Sequence, residues 1–343
     1  MYDLSYTNTQ ISFDDGINLI RFWEYRICDA QLDISEQSYN ISERISNGIL
    51  FLLLTNPDFN VQISFPSDIK QLFSSMAFRL SHQIEYCGDL TGNHVLNNAR
   101  ALYLYGEILN KPLYISLALE IFSNELPNLI TKKGFLREGS SHYQLLITRW
   151  LYEVLWVSKK FENKIINNLI KPYYRIMSKA SGFFYINNTN TGITTIPLIG
   201  DISPDFPPDW LIVPQANKSE NSFSYSWRHL WNKNDKFDLY YNHTKPSDKP
   251  KFEYDNESGW YKIKYNKAIL FLHIDPKTNS SFGNHRHNDS ISFVLYIDNE
   301  AILIDTGRLN YIKKNKYSEY GLLTQGHNSL MIDGLEPMLH QDR

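Results

Sequence analysis

A change of hydrophobic period near the middle of the chain limits its fold more than any other feature. From about Asp14 to Ala180, apolar residues recur three and four apart in successive segments, among them "INLIRFWEYRICDAQL", "ISERISNGILFLLLT", "DIKQLFSSMAFRLSHQIEYC", "NHVLNNARALYLYGEILN" and "HYQLLITRWLYEVLWV". That spacing puts one apolar stripe on each of a series of helices. Short connectors rich in Asn, Pro, Gly and Asp separate the segments, so consecutive helices must run antiparallel and stack as hairpins, in a toroid or a bundle. The period disappears in "SGFFYINNTNTGITTIPLIGDISPDFPPDWLIVPQ", where Gly, Pro, Asn and Asp crowd together. Beyond it, the β-branched and aromatic runs "KFDLYYNHT", "SGWYKIKYNKAILFLHID", "SISFVLYID", "EAILIDTG" and "HNSLMIDG", broken by turn residues, predict antiparallel strands.

The expected organisation is an α+β multidomain chain: helices over residues 1–180, an irregular connector over 181–235, and an antiparallel β-domain over 236–343. A length of 343 residues with 42% hydrophobic content can bury cores of that size. The formal net charge of -3, without long single-sign runs, gives no electrostatic ground for nucleic acid or an anionic membrane surface as partner. No stretch reaches the apolar length of a membrane span. Cys28 and Cys87 are far apart and lack C-x-x-C spacing, so both are expected to pack and not to form a disulfide or a thiolate metal site. The start, "MYDLSYTNTQISFDDG", has no basic region leading into an apolar run, which predicts a cytoplasmic protein; a trimmed start would instead allow the periplasm or cell envelope. "IDNEAILID" reads as a hairpin with the three-residue connection Asp298, Asn299 and Glu300. A β-domain of a few strands with open edges invites aggregation, so the chain is expected to be a piece of a longer protein.

The chemistry-bearing residues are concentrated in a few short stretches. In "GNHRHND", side-chain alternation along an extended segment puts His285, His287 and Asp289 on one face, either a solvated polar face or the start of a site. Asp305 ends the apolar run "AILID", and His327 stands before another in "TQGHNSLMID". Imidazoles and a carboxylate are ligands that zinc takes, so His287, Asp305 and His327 form a candidate set. The simplest hairpin register places Asp305 opposite Phe293. His287 would then lie roughly 20 Å away on a straight strand, at about 3.3 Å per residue, unless "GNHRHND" folds back over the sheet. In the helical half, Gly-Asn-His recurs at residues 92–94 at a helix start, where Asn93 and His94 would face an anionic ligand; simple capping by Asn93 is the alternative. "FLREGSSHYQLLITRW" adds Glu138, His142 and Tyr143 ahead of a long helix. Tyr143 aligns with Ile147 and Trp150 as a core residue, yet a tyrosine beside a helix start and near arginines can act as acid or base.

Four separated motifs then coincide: Gly-Asn-His at 92–94, E-x-S-x-x-Y from Glu138 to Tyr143, H-R-H-N-D from His285 to Asp289, and I-D-T-G at 304–307 followed by Q-G-H-N-S at 325–329. In their order and spacing the chain resembles the heparinase II/III family of polysaccharide lyases, over about Arg79 to Asp333. The resemblance implies an incomplete α/α toroid followed by an antiparallel β-sandwich, and β-elimination on an acidic polysaccharide containing uronic acid. By the same resemblance Asn93 and His94 would neutralise the substrate carboxylate. Tyr143 would be base or acid at the scissile bond, and His285 the second proton-transfer residue. His287, Asp305 and His327 would bind zinc, holding the loop that presents His285. Arg137, Arg149 and Arg286 lie in or near the motifs and could hold further carboxylates or sulfates. Trp210, in the connector, could stack on a sugar; the 14% aromatic content supplies such rings. Two alternatives are a glycoside hydrolase using Glu138 and Asp201, and a non-catalytic glycan-binding or surface-polysaccharide assembly module.

Overall fold

The structure is a computed structural model, and it describes residues 12–30, 37–55, 65–88, 91–187, 194–203, 206–212, 249–274, 285, 287–308 and 316–336. The expected strand "KFDLYYNHT" and Arg286 lie outside them. The chain divides into two compact units. The first runs to Asn128 and takes in Trp150–Pro172; the second is built from Leu129–Arg149 and from described residues after Pro172.

Helices form where the apolar period predicts them: α1 Phe13–Ala30, α2 Ser38–Thr55, α3 Ser67–Ser81, α4 Asn93–Ile108, α5 Pro112–Leu129, α6 Ser141–Lys160 and α7 Lys164–Phe184. Local chemistry sets their starts. Ser12 and Asp15 cap α1 reciprocally: the Asp15 N–H donates to Ser12 Oγ at 3.1 Å and the Ser12 N–H to Asp15 Oδ2 at 3.0 Å. Pro112 opens α5, where a missing N–H costs nothing. In the first unit the stripe Ile41, Ile45, Ile49 and Leu52 of α2 is buried in a core with α4. α4 is enclosed almost all round, so its polar residues need internal partners. Arg100 finds them in Glu43 of α2 at 2.8 Å and Glu153 of α6 at 2.6 Å, over the face of Trp150. No helix among the described residues is long and apolar enough to cross a membrane.

In the second unit, β1 (Ile186–Asn187) pairs with β2 (Thr194–Thr195), and the short helix α8 spans Pro208–Leu211. β3 (Lys251–Asp255), β4 (Trp260–Tyr265), β5 (Ala268–His273), β6 (Ser292–Ile297) and β7 (Glu300–Leu303) make one antiparallel sheet in sequence order. A further short helix, α9, spans Lys316–Tyr320. One sheet face is buried through the rows Trp260, His273, Ser292 and Lys262, Phe271, Val294. It packs on the end of α7, where Phe184 meets Trp260 edge-on at 4.8 Å and Phe183 meets Phe271 at 5.7 Å. Lys262, 2% exposed, reaches from β4 to donate to the Phe183 carbonyl at the C-terminal end of α7, and burial pulls its ammonium down to about 7.

Four expectations change. The β6–β7 connection has two residues, with Ile297 opposite Glu300; Asp298 and Asn299 have φ of 53° and 68°, as a tight type I′ turn requires. A bulge at Leu295/Tyr296 then restores the offset that a three-residue loop would have produced. "HNSLMIDG" is not a strand: its only pairing among the described residues is the bridge Ile332–Leu335. In place of a ladder, the Asn328 side chain donates to the carbonyls of Phe293 at 2.9 Å and Ile304 at 2.8 Å. The strand β3 was not foreseen, although "KFEYD" alternates with period two. Cys87 is exposed and not packed, and the Cys28 side chain lies outside the described residues.

Candidate functional site

In the first unit, Gly92 caps α4 with extended backbone, so Asn93 is the first helical residue and not the cap. Asn93 is buried. The His94 ring packs against Tyr39 at 4.7 Å and its Nδ1 lies 3.1 Å from Glu85 Oε1, with the side chain 44% exposed. A carboxylate there receives Nδ1–H and turns Nε2 outward.

In the second unit the loop before α6 and the connector are stitched together. Ser140 caps α6 by accepting from the Tyr143 N–H at 3.1 Å, and its hydroxyl donates to the Asp201 carbonyl at 2.7 Å. Ser141 bonds Ile199 and Pro197. Gly200, at φ 76°, permits this approach: a Cβ there would sit 2.6 Å from the Gly139 carbonyl oxygen and 2.8 Å from that of His285. The Asp201 N–H then donates to the His285 carbonyl at 2.9 Å.

Around this junction six ionisable side chains meet. The Tyr143 ring stacks on the His285 ring, centroids 3.7 Å apart and planes 19° from parallel. His285 Nδ1 lies 3.0 Å from Asp201 Oδ2, and its Nε2 is 3.6 Å from Glu138 Oε2. The other Asp201 oxygen, Oδ1, is 2.8 Å from His287 Nε2, and the Arg308 guanidinium lies 3.3 Å from Oδ2. Burial alone would push the Asp201 carboxyl up, but hydrogen bonds from His285 and His287 outweigh it and hold the group well below the usual carboxylate range. An aspartate so held stays ionised and donates no proton, so in a paired-carboxylate hydrolase it could act only as the base or nucleophile, with Glu138 as the acid.

His142 is fully enclosed between two backbone groups: its Nε2–H donates to the Phe206 carbonyl at 3.0 Å and its Nδ1 accepts from the Ser203 N–H at 3.3 Å. Burial, aided by nearby positive charge, lowers its pKa to about 4. Folded, the ring stays neutral below its ordinary value of 6.5, whereas the unfolded chain takes up a proton. The stability it contributes is therefore complete above pH 6.5 and is lost as the pH falls towards 4, about 3 kcal/mol in all. Urea midpoints compared between pH 7 and pH 4.5 should fall more steeply for the wild type than for His142→Gln. Parallel losses would contradict this.

Of "GNHRHND", residues 285 and 287–289 are described, and the chain turns at their end. Asp289 turns the chain by accepting from the Ser292 N–H at 2.7 Å, with Ile291 at φ 61°, and the Asn288 N–H donates to Leu322 at 2.9 Å. As a result the His287 and His327 rings lie 5.3 Å apart. Asp305 Oδ2 accepts from His327 Nδ1 at 2.8 Å and from Ser292 at 3.2 Å, while Oδ1 accepts from the Gly307 N–H. His287 Nδ1, His327 Nε2 and Asp289 Oδ2 are buried with no hydrogen-bond partner among the described residues. Burial pushes the Asp289 carboxyl up to about 6. Two orphaned imidazole nitrogens beside buried carboxylates are a donor set that suits zinc. No three His, Cys, Asp or Glu among the described residues stand in a metal-binding arrangement; the Asp305 carboxylate accepts from His327 and Gly307.

Residues 247–342 match the family model described as heparinase II/III-like, C-terminal. That stretch is similar to the C-terminal domain of the heparinase II/III-like family. Similar solved structures include heparinase III (TM-score 0.60, 17% identity, covering 87% of this chain and 47% of that one). A heparinase III gene product has TM-score 0.56 and 16% identity, covering 88% and 45%. Heparan sulfate lyase HepC from Pedobacter heparinus has TM-score 0.50 and 15% identity, covering 88% and 46%. Helices packing on helices, followed by an antiparallel sheet domain, is the heparinase III fold. The chain spans less than half the length of these structures. No curated protein matches its sequence.

The remaining expected site residues are placed as follows. Arg149 is fully buried, its guanidinium 3.9 Å from the centre of the Phe206 ring and 5.4 Å from that of Trp210. Trp210 stacks on Phe206 at 5.1 Å and is 8% exposed. Both therefore fix the connector to α6 in this structure. Arg137 pairs with Glu257 at 2.9 Å and is 22% exposed. Sequence reasoning passed over Arg308 and treated Asp201 only as one of a hydrolase's two carboxylates. Asp201 shares the stretch "GDISPDFPPD" with two further aspartates, so no local signal set it apart.

Proposed function

We propose that the chain is a polysaccharide lyase that cleaves a uronic-acid-containing polysaccharide by β-elimination. The likeness of residues 247–342 to the heparinase II/III-like C-terminal domain supports the class, and the observation that carries the reading is the stack of Tyr143 on His285, which sets a phenol beside an imidazole. Elimination needs one group to take the C5 proton and another to protonate the departing C4 oxygen; the C5–H electrons form the C4–C5 double bond as the C4–O bond breaks. Tyr143 and His285 share these two transfers. The C5 proton is acidic enough only when the neighbouring carboxylate is neutralised, a task given to Asn93 and His94 by the likeness of their Gly-Asn-His motif.

Zinc would be held by His287 and His327 with a carboxylate from Asp305. When bound it would supply a fixed anchor for the segment that carries His285. Incubation with a panel of acidic glycans, beginning with the heparan sulfate named by the HepC relative, should produce the ultraviolet absorbance of a conjugated alkene. New reducing ends without that absorbance would assign cleavage to hydrolysis, and no cleavage of any glycan in the panel would favour the binding module.

A further inference from the structure

We propose that Asp201 is a positioning residue that holds His285 and His287 in opposite tautomers, taking Nδ1–H from the first and Nε2–H from the second. The inference rests on the lyase reading for the role of His285, but its geometry stands apart from turnover. His285 and His287 are two apart in the sequence, and both rings reach the Asp201 carboxylate. Each meets a different oxygen of one carboxylate, Nδ1 of His285 at Oδ2 (3.0 Å) and Nε2 of His287 at Oδ1 (2.8 Å). An ionised carboxylate only accepts, so each of those nitrogens must carry a hydrogen. Arg308 lies within 3.4 Å of both oxygens and balances the charge.

Two consequences follow for the rings. His285 keeps its Nδ1–H, so any proton it gains or loses passes through Nε2, the nitrogen 3.6 Å from Glu138. His287 keeps its Nε2–H, and its lone pair sits on Nδ1, the buried atom with no hydrogen-bond partner among the described residues. A metal would therefore be bound through Nδ1 of His287. His327 repeats the pattern with the nitrogens exchanged: Asp305 takes Nδ1–H and Nε2 is the atom left over. The Asp201 carboxylate is itself fixed from behind, because its N–H is tied to the His285 carbonyl and Gly200 admits no side chain at the junction.

The test is long-range proton–nitrogen correlation NMR on the full chain labelled with 15N-histidine, as purified and after addition of zinc. His285 is expected to show a protonated Nδ1 and His287 a protonated Nε2, with added zinc moving only Nδ1 of His287 within that ring. Protonation of His287 at Nδ1, or of His285 at Nε2 alone, overturns the proposal. Asp201→Asn supplies the second arm. An amide accepts at one atom and donates at the other, so it can satisfy only one of the two rings. Zinc affinity, measured by competition with a chromophoric chelator, is expected to fall about 10–100-fold, and kcat on a cleaved glycan to fall with little change in KM. An unchanged zinc affinity with both tautomers retained in Asp201→Asn also overturns it. The expected tautomers in a protein that eliminates no glycan would sink the lyase reading and leave the positioning by Asp201 intact.

Discussion

Replacing Tyr143 with phenylalanine is expected to lower elimination by about 10²–10⁴-fold, the range for loss of a positioned acid or base. The substitution removes one oxygen and keeps the ring. Its stack on His285, its burial at 5% exposure and its backbone bond to the Ser140 cap do not depend on the hydroxyl. The loss should therefore appear in kcat, with thermal stability and KM close to the wild type. His285→Ala would confound the two, because it removes one partner of Asp201 as well as a proton-transfer group. A Tyr143→Phe protein that eliminates as fast as the wild type would remove Tyr143 from the reaction.

In the helical unit, Arg100→Leu is expected to cost about 3–5 kcal/mol of stability. Arg100 and Glu153 are both fully buried, Glu43 is nearly so, and the guanidinium is what offsets the two carboxylates. Leucine leaves those carboxylates without the cation and also removes the contact with the Trp150 face. Adding Glu153→Leu should recover part of the loss, since a buried charge left alone is worse than a hydrocarbon pair of similar volume. Urea unfolding of wild type, single and double variants measures this; a midpoint for Arg100→Leu equal to that of the wild type would show that the cluster contributes little.

The helices were legible because each must bury one stripe, and a period of three to four survives without tertiary information. Residues placed by backbone shape were less so. Asp201 lies in a connector with no period, and its value depends on Gly200 bringing that connector against Gly139 and His285, a contact between segments 61 and 84 residues apart. The fold-back at Asp289 runs through Ile291 at positive φ, which a β-branched residue adopts only when its surroundings impose it. Asn328 replaces strand pairing with side-chain bonds, so "HNSLMIDG" had the composition of a strand without becoming one. The motif histidines, by contrast, could be picked out because unusual residue types at fixed spacing carry their signal locally. What they could not convey was which nitrogen of each ring is committed.

The most direct test of elimination is the origin of the atoms at the new chain ends. Cleavage of a susceptible acidic glycan in 18O-labelled water, followed by mass spectrometry of the oligosaccharides, should give one unsaturated end per break and no solvent label fixed at the cleaved bond. Products heavier by the elements of water, with 18O incorporated at each break, would contradict β-elimination.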